Sequence, residues 1–516
     1  MPSERFAIVI LAAGQGTRLK SNRAKVLHRA GGRPLVEHVL RACLPLGAAE
    51  TFVIVGHQAD EVRAVVEPFG AKTILQQPQR GTGHALLVAR PVLENAGVDE
   101  VLVLPGDSPL IRTESLAMLL RAHRASSAAA TLLTATLETP QGYGRILRNP
   151  DGTVAAIVEE KALSAEQRTL REVNSSIYVF SLPQLWPALE QVRPENVHRE
   201  IYLTDAIELL HRSGCTVRAE RVGDAREILG CNTRAELAEV DRIFRQRKCA
   251  EVMAAGVTIY LPETVLLDPD VQVGADTVIE PGVQLLGTTR VGTNCWIGTG
   301  TVLVDTVVED DVLIHQNCRI AGSRIGRGCR VGPFAHLRDG AELRPEARVG
   351  NYVEVKKSLL AEGVKAMHLS YLGDATIGPH TNIGAGTITC NYDGERKHPT
   401  TIGERVFVGS GTELVAPVTV GNGAYIAAGS TVTEDVPADA LAIARARQVN
   451  KPGWAAARRA RLSNPAAMAS RKMNTGKRKA PAQNAKRKAG ARGRASHTRK
   501  ADARRKKSPR SSQQPR

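Results

Sequence analysis

The chain has 516 residues, with 69 Lys/Arg against 52 Asp/Glu, a formal charge of +17 and a pI near 9.7. That length supports two or more domains with their own cores and excludes a mini-protein held by staples. The basic excess is local: residues 455–516 carry 21 Lys/Arg and one acid, Asp502, a net of +20, which leaves the rest of the chain slightly acidic at −3, so the basic signal of a nucleic-acid or membrane-surface protein belongs to that segment alone.

The first element is the strand-like run "FAIVILAA", ending at Gly14 and Gly16 with Arg18 and Lys25 beyond. It is too short for a membrane span and poorly shaped for a secretory signal, and no later stretch can cross a bilayer. The glycines let backbone amides approach a phosphate closely. The loop is not a Walker A motif, since no GK[ST] follows, nor a dinucleotide fingerprint, since Leu19 stands where a third glycine is needed. Up to residue 232, aliphatic runs ("TFVIVG", "VLVLPGD", "AATLLTATL") alternate with amphipathic segments such as "PLVEHVLRACLPLG". This pattern predicts a mostly parallel α/β sheet covered on both faces. Asp107 ends one of these runs, where open α/β sheets bind ligands.

Residues 233–255 contain no Pro or Gly and place Leu237, Val240, Ile243 and Phe244 on one face, predicting a connecting helix capped by Thr233. From 256 to about 455 aliphatics recur every six residues. They run Val273, Ile279, Leu285, Val291, Ile297, Leu303; then Val302, Val308, Ile314, Ile320; then Ile325 to Val355; and finally Ile402 to Val432. Period six suits neither helix nor ordinary strand and predicts a parallel β-helix, a prism filled by stacked aliphatics. The phase breaks at Lys356–Tyr371 and Thr389–Thr401, both expected to project as loops. Residues 456–516, rich in Lys and Arg and almost free of aliphatics past Leu462, are expected to be disordered, with nonspecific polyanion binding as a possible role. Eight scattered cysteines without a CxxC pair point to free thiols in a reducing cytoplasm.

"LAAGQGTRL" with "KVLH", then "LQQPQRGTGHA", "LPGDSPL", "GYGRI", "IVEEK", "EVNSSIY", "YLTDAI" and "GCNTR", resembles the nucleotide-sugar pyrophosphorylases. Joined to "HLSYLGDA" and "NIGAGTITCNYDG" in the repeats, residues 5–455 resemble the bifunctional bacterial family of glucosamine-1-phosphate acetyltransferase and N-acetylglucosamine-1-phosphate uridylyltransferase. The resemblance implies a Rossmann-like pyrophosphorylase domain (1–232), a linker helix (233–255) and a left-handed, trimeric β-helix (256–455). It also implies cytoplasmic synthesis of UDP-N-acetylglucosamine for peptidoglycan and lipopolysaccharide, with acetyl-CoA and UTP as co-substrates and Mg²⁺ as cofactor.

For the first half the resemblance implies Asp107 and Asn232 as Mg²⁺ ligands. It implies Leu11, Ala12, Ala13, Gly14 and Lys25 at the nucleotide, Gln76, Gly81 and Thr82 at uracil, and Gly144, Glu159 and Asn174 at the sugar. Two residues depart from the family pattern: Gln15, where lysine is common, and Ser176, where glycine is expected. Uridylyl transfer needs no strong base, because the attacking phosphate oxygen is already an anion; it needs alignment and positive charge.

Acetyl transfer needs a proton acceptor near neutral pH, which suits histidine. His315, His336, His368, His380 and His398 are available, and His368 lies in the first phase break; the resemblance makes it the base, with Tyr371 beside it. Arg338, Lys356 and Asn382 are implied at the sugar phosphate, and Ala385, Asn391, Tyr392, Ser410, Ala428 and Arg445 at acetyl-CoA. A cysteine nucleophile is the rival, but Cys295, Cys318 and Cys329 lie among packed repeats and Cys390 has no basic neighbour in sequence. Two other readings stay open: a pyrophosphorylase for a different sugar or nucleotide whose prism only trimerises, and a polyanion-binding scaffold.

Overall fold

A computed structural model describes residues 5–193 and 200–463. The chain divides into two compact units, Met1–Arg445 and Ala446–Arg516. In the first, the aliphatic runs become the strands of one twisted sheet: β1 (Phe6–Leu11), β2 (Glu50–Val55), β3 (Lys72–Leu75), β4 (Glu100–Pro105), β5 (Ala130–Thr136), β6 (Arg145–Arg148), β7 (Val154–Val158), β8 (Glu172–Ser181) and β9 (Val217–Arg221). The order is β9-β5-β8-β4-β1-β2-β3, with β6 joined to β8 and β7 extending β6. β1 is parallel to both β2 and β4, and only β8 and β7, the outer strand of the β6–β7 hairpin, run against the rest. Both faces are buried: Ala7 and Val9 belong to one core, Ile8 and Ile10 to the other. Such two-sided burial is why these strands read as continuous rather than alternating apolar runs.

The connecting helix α1 (Arg234–Ala254) begins at Thr233, whose hydroxyl accepts the Glu236 N–H at 3.2 Å. Val240 and Ile243 pack with Ala30, Leu35, Leu110 and Cys231, while Cys249 and Val252 join the core of the repeats. Phe244 stacks on buried His38 at 4.0 Å. Arg245 reaches Leu267 O (2.9 Å) and Asp268 (2.6 Å) in the first coil, and Arg33 pairs with Asp270. One helix therefore ties sheet to prism.

The repeats form a prism of three parallel sheets, among the described residues of eleven, ten and nine strands. Face one runs from Thr258–Ile259 to Leu441–Ala442, face two from Leu266–Leu267 to Thr431–Val432, and face three from Gln272–Val273 to Val418–Val420. Registers such as Ile279↔Ile297, Leu285↔Leu303 and Val308↔Ile325 stack the inward aliphatics over one another. Each fully buried Val, Leu or Ile contributes about 1.5–3 kcal/mol.

Two expectations are corrected here. Leu303, not Val302, points inward and continues to Ile320; the pattern slips by one residue because the next coil has 17 residues rather than 18. The break at Lys356–Tyr371 is not a loop. It holds the regular strands Glu354–Lys356, Leu359–Leu360 and Lys365–His368, again displaced by one residue, and small Ala366 takes an inward place that hides the rhythm. The second break is a loop: Ile377↔Ile402 spans 25 positions where neighbouring coils take 17 or 18. Inside it, buried Thr389 replaces an aliphatic and exchanges hydrogen bonds with the Gly373 backbone at 2.8 and 3.0 Å.

In the second unit the described residues hold one helix, Trp454–Ser463. Its Ala/Arg run has high helix propensity, so the expectation of disorder from residue 456 is corrected over 456–463; residues 464–516 lie outside the described residues. Among the described residues no helix is long and apolar enough to cross a membrane.

Candidate functional sites

At the C-terminal ends of β2, β1 and β4 the chain leaves β1 in both directions, toward β2 on one side and β4 on the other. A crevice opens at such a switch point. Ala12 N–H bonds Ile54 O and Gly106 N–H bonds Leu11 O, both at 2.9 Å, pinning the loop's start. Among the described residues no acceptor meets the N–H groups of Gly14, Gln15 or Gly16, and Gly14 faces open space. Gly16 has φ +67°, and a Cβ there would lie 2.6 Å from the Lys25 Cβ, so glycine lets Lys25 pass beneath the loop.

Lys25 Nζ contacts the Asp107 carboxylate and Asn232 Oδ1 (2.7 Å), and Arg18 Nη2 reaches the same Oδ1 at 2.7 Å. Four residues spread over more than 200 positions of sequence thus meet at one point. Asn232 is held by its own N–H bonding Glu236 Oε2 at 2.6 Å, and Cys231 N–H bonds Asp107 O at 3.2 Å. The expected Mg²⁺ ligands fit a cation, because both oxygens already converge on one. No cluster of three His, Cys, Asp or Glu suited to a metal occurs among the described residues, so a divalent ion here would take its remaining ligands from phosphate and water, as Mg²⁺ commonly does.

Further along the crevice, buried Gln76 donates from Nε2 to Gly81 O at 2.9 Å and sits 3.1 Å from His84 Nδ1. Thr82 Oγ1 accepts the Leu203 N–H at 3.0 Å. Asn174 is buried, bonded through its backbone to Gly144 O (2.9 Å) and through its amide to Tyr178 OH (2.8 Å). Burial pushes the Glu159 carboxyl above the usual carboxylate range; a Thr204 interaction opposes this and the Asp205 charge adds to it. Asp205, whose carboxyl burial also raises, was missed, although "YLTDAI" carried it. Ser176 sits at φ +61° in the bulge between Asn174 and Tyr178, which explains the glycine expected there.

The second site follows one corner of the prism. His368 ends a face-one strand and is exposed, its Nδ1 2.8 Å from Asn351 Oδ1 one coil below. Above it, bonds Gly386 N–H to Leu369 O (3.0 Å), Gly411 N–H to Ala385 O (2.7 Å) and Gly429 N–H to Ser410 O (2.8 Å) continue the ladder. His368, Ala385, Ser410 and Ala428 therefore form a single column, about 4.8 Å per coil. Beside it the left-handed corner residue changes from Phe334, Tyr352 and Leu369 to Gly386, Gly411 and Gly429, so the corner carries no side chain over its last three coils. The Arg445 side chain lies beside Gly429 at its far end.

Around the corner on face two, Arg338 pairs with Lys356 in register, one coil apart. Arg338 also meets Glu354 (2.7 Å) and Asp339 (2.9 Å). The Lys397 ammonium, then burial and Arg338, hold the Lys356 ammonium below its usual range. Lys397 comes from the inserted loop and was missed; the loop's position as a phase break was the available signal. Asn391 bonds Asp374 Oδ2 at 2.6 Å and lies 3.5 Å from Tyr371 OH. Tyr392 is exposed on the loop, its hydroxyl donating to Gly394 O at 2.6 Å. Asn382 stands on face one, one coil above Lys365. His398 is taken up by Asp393 (2.7 Å) and steadies the loop.

Burial pushes the thiols of Cys318 and Cys329 up to about 11 and about 12, and raises those of Cys295 and Cys390 too. None is a ready nucleophile.

A family model described as a MobA-like NTP transferase domain matches residues 8–202, and one for the six-repeat bacterial transferase hexapeptide matches residues 399–434. Proteins named bifunctional protein GlmU are similar along almost their whole lengths. That of Koribacter versatilis is 48% identical over 462 residues, covering 89% of this chain and 98% of the relative. That of Solibacter usitatus is 49% identical over 456 residues, 88% and 97% of the two chains, and that of Heliobacterium modesticaldum 47% over 448 residues, 86% and 97%. The chain belongs to the bifunctional GlmU family. It is a bifunctional transferase that joins a nucleotidyltransferase domain to hexapeptide repeats.

Proposed function

We propose that the prism acetylates glucosamine 1-phosphate from acetyl-CoA and that the N-terminal domain then transfers uridylyl from UTP to the product, releasing pyrophosphate and UDP-N-acetylglucosamine. The observation that carries this reading is the presence of two built sites with complementary chemistry. One is a cation-lined crevice at strand ends; the other is an exposed, oriented imidazole between an anion-binding cluster and a small-residue column.

In the crevice, the free amides of Gly14–Gly16 with Lys25 and Arg18 grip the triphosphate, and Gln76 with the Gly81–Thr82 turn faces the base. Gly144, Glu159 and Asn174 hold the sugar, so that its phosphate oxygen attacks the α-phosphorus as the bond to pyrophosphate breaks. Bound through Asp107 and Asn232, Mg²⁺ would neutralise phosphate charge. In the prism, Arg338, Lys356 and Lys397 relieve their mutual repulsion on a phosphate, with Tyr371 and Asn382 nearby. The amine attacks the thioester, His368 takes the ammonium proton through Nε2, and the C–S bond breaks to free CoA. The Ala385–Ser410–Ala428 column admits the pantetheine arm, with Asn391 and Tyr392 also contributing to acetyl-CoA binding and Arg445 at the column's end.

The exposed edge of Phe334, Tyr352 and Leu369 (43%, 58% and 62%) supports a trimer of left-handed prisms with the acetyl site near a neighbour, and eight free thiols support a cytoplasmic setting. The matched relatives are covered to 97–99% by 447–462 residues of this chain, so the basic segment lies beyond them. We propose that it adds salt-dependent polyanion binding and takes no part in turnover.

Purified protein given glucosamine 1-phosphate, acetyl-CoA, UTP and Mg²⁺ should form UDP-N-acetylglucosamine and pyrophosphate. His368→Ala should abolish acetylation, by roughly 10²–10⁴-fold, and leave uridylylation intact. An active pyrophosphorylase with no acetylation in the parent would favour the reading in which the prism only assembles the trimer.

A further inference from the structure

The strands of face one are two residues long, except for Arg348–Asn351 and Lys365–His368, which run to four among the described residues. The extension places Asn351 in register with His368. Their side chains meet at 2.8 Å, Asn351 Oδ1 to His368 Nδ1. The coils on either side offer no such partner: extending the registers puts Pro333 below Asn351 and Ala385 above His368. This polar pair is thus a local feature of the corner and not part of a repeating ladder.

We infer that Asn351 is a positioning residue for acetyl transfer, holding the His368 ring with its Nδ1–H donated to Oδ1 and its Nε2 lone pair free to take the substrate's proton. The inference rests on the acetyltransferase reading and deepens it. When Nε2 gains the proton, the resulting imidazolium keeps an acceptor at Nδ1. A neutral amide orients the ring without the full charge of a carboxylate, which would favour the imidazolium before substrate arrives. A histidine in the wrong tautomer presents an N–H where a lone pair is needed, and such an error is costly even when geometry is intact.

The test uses the full-length protein. Asn351→Leu should lower kcat for acetyl transfer about 10–100-fold with KM for glucosamine 1-phosphate unchanged, while uridylyl transfer and melting temperature stay near parental values. Asn351→Asp, which restores an oxygen acceptor, should recover part of the loss. Selective ¹⁵N-histidine NMR, assigned with His368→Ala, should show His368 protonated at Nδ1 in the parent and a mixture of tautomers in Asn351→Leu. Parental kcat in Asn351→Leu, a loss confined to KM, or an Nε2–H tautomer in the parent would overturn the inference. If Asn351→Leu does not fold, the parent's tautomer alone decides it. A parent without any acetyl transfer would sink the acetyltransferase reading and this inference with it, a result distinct from an active parent with an equally active variant.

Discussion

The two sites are assembled in opposite ways. In the crevice, the unbonded amides and the cations Arg18 and Lys25 sit on one short loop, Gly14 to Lys25, at the end of a strand, and Asp107 and Asn232 come from elsewhere. At the prism corner almost nothing functional is adjacent in sequence. Asn351 meets His368 across 17 residues, Arg338 meets Lys356 across 18, and Ala385, Ser410 and Ala428 align only after the inserted loop is allowed for. A loop at a strand end writes its chemistry as a contiguous motif; a solenoid writes it as a column, one residue per coil.

The sharpest way to break this comparison is to damage the contiguous motif and ask whether the column notices. In Gly16→Ala the new Cβ meets Lys25 Cβ at 2.6 Å in backbone that disfavours any side chain. Under the proposed function Lys25 grips the triphosphate, and a displacement near 1 Å at such a residue costs on the order of 10²-fold. Uridylyl transfer should fall by about that factor, while acetylation, assayed separately, stays within twofold. Equal loss of both would show that the two sites are mechanically coupled through the connecting helix α1.

Lys397→Ala tests the column side. Removing one of three clustered cations should raise KM for glucosamine 1-phosphate about tenfold, the order expected for one charge-assisted contact. Uridylyl kinetics should be unchanged, and an unaltered KM would remove Lys397 from the sugar-phosphate site.

This contrast also decides what could be read from the amino-acid order. The parallel sheet was legible because two-sided burial makes continuous aliphatic runs, and the prism because its inward residues keep a fixed period. The period failed where coils shorten to 17 residues and where Ala366 and Thr389 stand in for large aliphatics. At that place Lys356–Tyr371 looks like a loop, yet His368 sits on a strand. Asn351 carries no local signature, since its partner is supplied by register, whereas the motif "YLTDAI" and the second phase break pointed to the neighbourhoods of Asp205 and Lys397 without singling out either residue.

Glu159 separates stability from function within the crevice. Its folded carboxyl is raised by burial, so the folded state binds the proton more tightly than the unfolded chain does. Stability is then greatest below the ordinary carboxylate range and falls as pH rises through the folded value. Glu159→Gln should raise melting temperature at pH 8 and leave it unchanged at pH 3.5, while weakening sugar binding. A variant no more stable at pH 8 would show that the carboxylate is already satisfied without substrate.

The smallest effect belongs to Ser176, where the family pattern and the backbone disagree. Its φ of +61° is left-handed, a conformation that costs a residue with a Cβ roughly 1–2 kcal/mol relative to its ordinary basin. The position cannot relax, because the Ser176 N–H is tied to Asn174 Oδ1 at 3.1 Å and the bulge keeps Asn174 bonded to Tyr178. Glycine would remove that strain but enlarge the unfolded chain's freedom, which returns part of the gain. Ser176→Gly should therefore stabilise the protein by about 1 kcal/mol in denaturant titration, with KM for N-acetylglucosamine 1-phosphate unaltered because Asn174 stays in place. A destabilised variant would mean that the Ser176 side chain contributes more than its backbone strain costs, and that this departure from the pattern is an adaptation of the sugar pocket.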